Sequence, residues 1–410
     1  MAKILIHTLG SSGDLNPFLA LATELRLRGH HVHFALSPLF AEKAEALGFS
    51  ATIAGEDPQW GSEMMRRMLE AHRTDPVRVI FEEALIPAIA PAVKSLEPLV
   101  READLFISHT IQLAAPIVSD RTGVPWVSAS AATMIHETAV YPPPGVAWKS
   151  SPAFLNRLGW KLGYRIFAGI DELAAVEYEK LGARPRTNIM AGGAYSRLLT
   201  LGLWSPAFFP RPTDWPEWFQ VGGYARSDGD TPPSALSTKP VTGTAPTILF
   251  TLGSSVVNDP RGFYDAALKA IAPTPWNAVL LGAPEEIPVP RALRERVQVL
   301  RYAPYADLFP QMAAIVHQGG VGTTQAACYY GIPSIIVPRG FDQFENAAHI
   351  QREGWGLRLL PTDFSAYSLR YRLERLLRSG EIRTKVKALS QQMQAEPGVV
   401  RSAEMIEALL

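Results

Sequence analysis

"IHTLGSS" at residues 6–12 and "LFTLGSS" at residues 249–255 are nearly one phrase written twice, about one domain length apart. The stretch before the first, "KILIHTL", reads as a buried parallel strand: short, apolar and ended by Gly10. "GSSGDLN" reads as a loop, with Asn16 as the cap and Pro17 as the first residue of a helix. Phe18, Leu21, Ala22 and Leu25 recur at helical spacing, Gly29 stops the helix, and "HVHFAL" is the next strand. The second copy repeats this order: strand "PTILFTL", loop "GSSVVNDP", helix "RGFYDAALKAIA", strand "WNAVLL". Each phrase therefore opens a doubly wound α/β domain.

The chain of 410 residues exceeds what one hydrophobic core usually serves. We expect an N-terminal Rossmann-like domain over residues 1–224, a linker over 225–246 and a second Rossmann-like domain over 247–382. The linker contains "SDGDTPPSALSTKPVTGTAP", rich in Pro, Ser, Thr and Gly. A last helix over 383–410 packs on one domain or the other; the sequence does not choose. More strands stand out as "ADLFISHT", "GVPWVSAS", "QVLRYAP", "MAAIVHQGG" and "PSIIVPRG", with "QLAAPIVSDRT" helical.

Lys+Arg and Asp+Glu both total 39, so the zero net charge gives no electrostatic case for nucleic acid. The single cysteine, Cys328, excludes an internal disulfide and a cysteine-rich metal site. "MAKILIHTLG" lacks a small-residue cleavage site, and no stretch reaches the ~18 apolar residues of a membrane span. The expectation is a cytoplasmic protein without a transmembrane segment, with peripheral membrane contact left open.

The richest stretch is "IVHQGGVGTTQAACYYGIPSIIVPRGFDQFENA", residues 315–347. A strand ends at His317, Gly319, Gly320 and Gly322 follow, and Thr323 and Thr324 open a helix. Glycines admit close approach of a ligand, and a helix N-terminus offers free N–H groups and partial positive charge. Together they form a phosphate site that needs no metal. The next loop delivers Asp342, Gln343 and Asn346, whose acceptors and donors suit the vicinal hydroxyls of a sugar.

This stretch resembles the donor-binding signature of the GT-B fold glycosyltransferases of the UDP-glycosyltransferase superfamily, family one. The matching pattern is H-x-G-G-x-G-T-T, then G-[IV]-P, then D-Q-x-x-N-A. The resemblance implies two Rossmann-like domains facing across a cleft, and an inverting, metal-independent transfer. It assigns the diphosphate to His317, Gly319, Gly320, Gly322 and Thr323, with Ser254 of the facing loop. It places Tyr302 on the pyrimidine, Gln325 at the ribose, and Asp342 and Gln343 at the transferred sugar. Many members carry a histidine base in the first loop, where this chain has Asp14; Gly-Asp there resembles sterol, glycopeptide and rhamnolipid glycosyltransferases. Asp14 is thus the expected base, His109 its orienting partner, and Ser12 and His136 expected acceptor contacts.

Each assignment has a plainer counterpart. Asp14 caps the first helix, His317 is a core histidine, and Asp342 and Gln343 cap their helix. His7 reads as structural. His30, His31 and His33 alternate between faces and read as surface and core rather than as a metal set. "DGD" at 228–230 reads as solvated loop. Arg339 either neutralises the diphosphate or is exposed. Trp60, Met64, Met65, Phe81, Trp148, Phe154 and Trp160 read as core or pocket wall. No cofactor is expected, the nucleotide-sugar being a cosubstrate. The expected reaction moves glucose from UDP-glucose to a hydroxyl of a small hydrophobic acceptor, such as a phenol or lipid. The alternatives are a dTDP-rhamnose donor, a UDP-N-acetylglucosamine epimerase, and a non-catalytic nucleotide-sugar-binding protein.

Overall fold

The structure is a computed structural model that describes residues 1–54, 76–144, 146, 151–226, 244–253, 260–284, 287–340 and 342–410. The chain forms two compact units: Met1–Pro143, Ser150–Arg226 and Pro397–Leu410 in the first, Pro144–Lys149 and Ser227–Glu396 in the second.

Among the described residues the first unit holds seven parallel strands: β1 (Lys3–His7), β2 (His31–Leu36), β3 (Ser50–Ile53), β4 (Leu105–His109), β5 (Trp126–Ser130), β6 (Leu199–Gly202) and β7 (Phe219–Val221). Their order is β3-β2-β1-β4-β5-β6-β7. Before residue 226 its described helices of eight or more residues are α1 (Ser12–Leu27), α2 (Pro38–Ala46), α3 (Ile89–Val100), α4 (Ala115–Thr122) and α5 (Ala153–Lys180). β1, β4 and β5 are buried without alternation because helices cover both faces. One face packs Phe18, Leu21 and Leu25 of α1 with Phe34; the other packs Val93 and Leu96 of α3, Ile117 of α4 and Ile170 of α5.

Among the described residues the second unit holds six parallel strands: β8 (Thr247–Thr251), β9 (Asn277–Leu281), β10 (Val297–Leu300), β11 (Ala314–His317), β12 (Ser334–Ile336) and β13 (Gly356–Arg358). Their order is β10-β9-β8-β11-β12-β13. Its helices are α6 (Pro260–Ile271), α7 (Val321–Tyr329), α8 (Gln343–Glu353), α9 (Ala366–Arg378) and α10 (Gly380–Ala395). Phe263 and Tyr264 of α6 and Leu369 and Leu373 of α9 fill one face; Phe309 and Ala326 and Ala327 of α7 fill the other.

Two expectations are corrected. The helix expected at Pro17 starts at Ser12, with Ser11 as its cap. Ser11 and Asp14 satisfy each other's backbone N–H groups in a capping box, which stabilises an earlier start than Pro17 alone would set. The single helix expected over 383–410 is two, α10 and α11 (Val399–Glu407). Pro397 cannot continue a helix, and Gly398 adopts φ +59°. α10 counts with the second unit and α11 with the first. α11 places Ala403 and Ile406 in the core beside α1.

In each sheet the strand order reverses beside the first strand, between β1 and β4 and between β8 and β11. Open α/β sheets bind ligands at the carboxyl ends of the strands flanking such a reversal.

Candidate active site

In the first unit, β1 ends at His7 and β4 ends at His109, and the loop after β1 turns into α1. That turn puts the Asp14 carboxylate at the end of β4: His109 Nε2 lies 3.5 Å from Asp14 Oδ1. The Ile111 N–H donates to His109 Nδ1 (3.2 Å). Nδ1 is therefore the acceptor nitrogen, and Nε2 carries its hydrogen toward Asp14. Asp14 Oδ2 accepts from the Ser11 N–H (2.7 Å) and the Ser11 hydroxyl (2.9 Å). Oδ1 is left for His109 and for whatever approaches from solvent; a third of the side chain is exposed. Burial alone would raise the Asp14 carboxyl, but His109 and Ser11 together hold it below its ordinary value, so it is ionised at neutral pH. The capping role and the contact with His109 coexist in one side chain, one oxygen for each.

Gly10 makes this geometry possible. Its φ is +110°, and a Cβ there would lie 2.5 Å from Asp14 Oδ2. Behind the pair, His7 is buried and held neutral, with its pKa lowered to about 4 by desolvation. His7 Nδ1 donates to the Ala35 carbonyl (2.7 Å), and the Gln112 side-chain amide donates to Nε2 (2.6 Å). His7 is thus structural. Ser12 begins α1 beside the pair, half-buried. His136 sits elsewhere: its Nδ1 donates to the Ala191 carbonyl (2.7 Å), and its ring packs against Trp215, Trp218 and Phe219. The contacts of His136 are to this aromatic cluster, and Asp14 is not among them.

In the second unit, His317 ends β11 and is fully buried. The Gly319 N–H donates to its Nδ1 (3.0 Å), so the hydrogen sits on Nε2, which has no partner among the described residues. Desolvation lowers its pKa to about 3 and keeps the ring neutral. A buried N–H left unpaired is costly unless a ligand takes it up. Gly319, at φ +97°, must be glycine: a Cβ would lie 2.5 Å from Ile336 Cγ2. Gly320 caps α7, and a Cβ on Gly322 in its first turn would meet only open space. The first turn of α7 is thus open to close approach at Gly322, five residues on from His317, a setting suited to an anion.

Thr323 Oγ1 lies 3.0 Å from the Tyr305 hydroxyl, whose ring stacks on Phe309. Tyr302 is 53 % exposed and offers a free aromatic face. Gln325, expected at a ribose, is buried within α7. Asp342 stands at the N-cap of α8 but makes no side-chain cap; the Asn346 amide bridges its Oδ2 (3.0 Å) and the Gly319 carbonyl (2.8 Å). Asn346 therefore ties the β12 loop to the glycine loop. Gln343 is buried, and its Oε1 accepts from the N–H groups of Arg339 (2.8 Å) and Gly340 (3.2 Å). Arg339 lies over the Phe364 ring.

Ser254, Trp60, Met64, Met65, Trp148 and Asp228-Gly229-Asp230 lie outside the described residues. Phe81 is buried as expected, whereas Phe154 is exposed, against its reading as core or pocket wall. Sequence reasoning missed Ser11 and Tyr305; the S-x-x-D spacing of Ser11 and Asp14 was the available signal for the first. Among the described residues no cluster of three or more His, Cys, Asp or Glu could hold a metal, and no helix is long and apolar enough to cross a membrane.

The glycosyltransferase family 28 N-terminal domain matches residues 4–158, and the erythromycin biosynthesis protein CIII-like C-terminal domain matches residues 279–409. A sterol 3-beta-glucosyltransferase of Arabidopsis thaliana is 26 % identical over 98 % of this chain and 67 % of its own length. The O-mycaminosyltylonolide 6-deoxyallosyltransferase of Streptomyces fradiae is 28 % identical over 99 % of this chain and 97 % of its own. Among solved structures, the glycotransferase of kitacinnamycin superposes over 100 % of this chain and 99 % of its own with a TM-score of 0.74 at 20 % identity, which shows the shared GT-B fold.

Proposed function

The chain belongs to the family 1 UDP-glycosyltransferases and is a nucleotide-sugar-dependent glycosyltransferase, and from that premise we propose an inverting, metal-independent transfer of glucose from UDP-glucose to a hydroxyl of a small hydrophobic acceptor, in the cytoplasm. The observation that carries this reading is the ionised Asp14 carboxylate at the strand-order reversal, with Oδ2 held by Ser11 and Oδ1 beside His109.

In this reading Asp14 Oδ1 takes the acceptor's proton while the acceptor oxygen attacks the anomeric carbon. A carboxylate this acidic cannot deprotonate an alcohol beforehand, so transfer and attack are concerted. The new glycosidic bond forms opposite the bond that breaks, and the electron pair leaves on the nucleoside diphosphate. His109 donates its Nε2–H to Asp14 and fixes the carboxylate's direction. His317 Nε2–H and the N–H groups at Gly322 and Thr323 take up the charge on the diphosphate, the main electrostatic task of the step. Protein donors thus occupy the place a metal ion would take. Tyr302 stacks on the base, and Asp342 accepts from the sugar's hydroxyls.

A second donor reading is favoured by one observation: the two relatives, matched at 26 % and 28 % identity, are a glucosyltransferase and a 6-deoxyallosyltransferase. A dTDP-6-deoxyhexose such as dTDP-rhamnose is therefore the alternative. Both donors are offered together with mixed phenolic and hydroxy-acyl acceptors, and products are weighed by mass spectrometry. A hexose adduct is expected. A deoxyhexose adduct replaces UDP-glucose with the alternative, and no adduct on any acceptor contradicts the reading.

A further inference from the structure

We propose that the first three turns of α5 dock on an anionic lipid surface, its exposed Phe154, Leu158 and Leu162 inserting beside a row of Arg157, Lys161 and Arg165. Phe154 is 66 % exposed, and Leu158 and Leu162 are each 58 % exposed. Leu155 is exposed too. At the helical repeat these four side chains fill one arc of the cylinder. Arg157, Lys161 and Arg165 are exposed on the adjoining arc, and none is paired with a carboxylate among the described residues. No Asp or Glu occurs between residues 151 and 170.

The opposite side of the helix fixes this orientation. The buried Asn156 amide donates to the Ala139 carbonyl (2.9 Å), and the Tyr164 hydroxyl donates to Glu137 Oε2 (2.7 Å). A Cβ on Gly159 would collide with the Pro143 ring. The inner side is therefore seated on residues 137–143, and the outer side is left to solvent. Single exposed leucines are ordinary. A contiguous apolar arc bordered by unpaired cations is the pattern of a helix lying in a membrane interface.

Charge selects the occupant. A second copy docking through this face would bring two rows of cations together. The second half of α5 carries Asp171, Glu172, Glu177 and Glu179 among its exposed Leu173 and Val176, so an anionic surface is met only by the first half. The inference stands apart from the proposed reaction, because lipid binding is read without catalysis.

The test is flotation of the full chain with vesicles of phosphatidylcholine alone and of phosphatidylcholine with phosphatidylglycerol. Binding is expected to the anionic vesicles only, and to weaken with added salt. Reversing Arg157, Lys161 and Arg165 to Glu is expected to lower partitioning roughly 100-fold. Leu158→Gln with Leu162→Gln is expected to abolish it, with the thermal midpoint unchanged because both residues are exposed. Equal binding to both vesicle types, no binding, or binding indifferent to both sets of substitutions would overturn the proposal. So would a dimer in solution that the Leu158→Gln, Leu162→Gln variant disperses.

Discussion

His317 carries an N–H that the fold buries and leaves without a partner among the described residues, five positions before Gly322, where a Cβ would meet open space. A hydrogen bond to a charged ligand group is worth about 1.5–3 kcal/mol. His317→Ala should therefore weaken binding of the nucleoside diphosphate by roughly ten- to a hundredfold, measured by calorimetry. A change under about twofold would remove His317 from the donor site. The glycine-rich stretch was legible in the sequence because glycine and helix-start chemistry are local. What Gln343 does was not: its Oε1 is spent on the Arg339 and Gly340 N–H groups, a loop geometry that no spacing encodes. The same holds for the contact between Asp14 and His109, which stand 95 positions apart in the chain and meet only because β1 pairs with β4.

Among elements, α11 shows how the first unit depends on the end of the chain. Arg28 donates to Glu407 Oε2 (2.7 Å), and His30 Nε2 lies 3.1 Å from Glu407 Oε1. These contacts are near the surface and contribute little. The apolar anchor matters more: Ile406 is fully buried among α1 side chains. Ile406→Ala should cost about 2–5 kcal/mol, read from the urea midpoint; a loss below about 0.5 kcal/mol would mean that α11 is not part of that core. The break before α11 was written in Pro397-Gly398 but was passed over. α5 gave no helical signal for another reason. Its exposed side carries Phe154, Leu155, Leu158 and Leu162 in the first turns, so apolar residues there do not mark the buried face. β6 is four residues long and takes its place only by pairing between β5 and β7.

Over the whole molecule, each unit buries a histidine whose pKa desolvation lowers at the end of a strand flanking the reversal, His7 in the first and His317 in the second. Both have pKa values lowered from 6.5, to about 4 and about 3. Below pH 6.5 the unfolded chain binds protons that the folded chain refuses, so stability falls with falling pH. The loss runs down to about pH 4 for His7 and about pH 3 for His317. Each contributes a slope of about 1.4 kcal/mol per pH unit within its window. Urea midpoints should therefore drop steadily from about pH 6 to about pH 5. A slope half as steep would mean that one ring is protonated in the folded protein, and a flat profile that both are.

The doubled opening phrase foretold two α/β units because buried parallel strands are apolar throughout. The acceptor's identity was not legible, since no local motif in the sequence encodes it. The proposed chemistry itself rests on Asp14. The most direct test compares nucleoside diphosphate release by the native chain and by Asp14→Asn, at saturating donor and with an acceptor that gives a product. The account predicts a loss of about 100-fold or more in turnover, with donor affinity unchanged. Turnover equal to that of the native chain would show that another group takes the acceptor's proton.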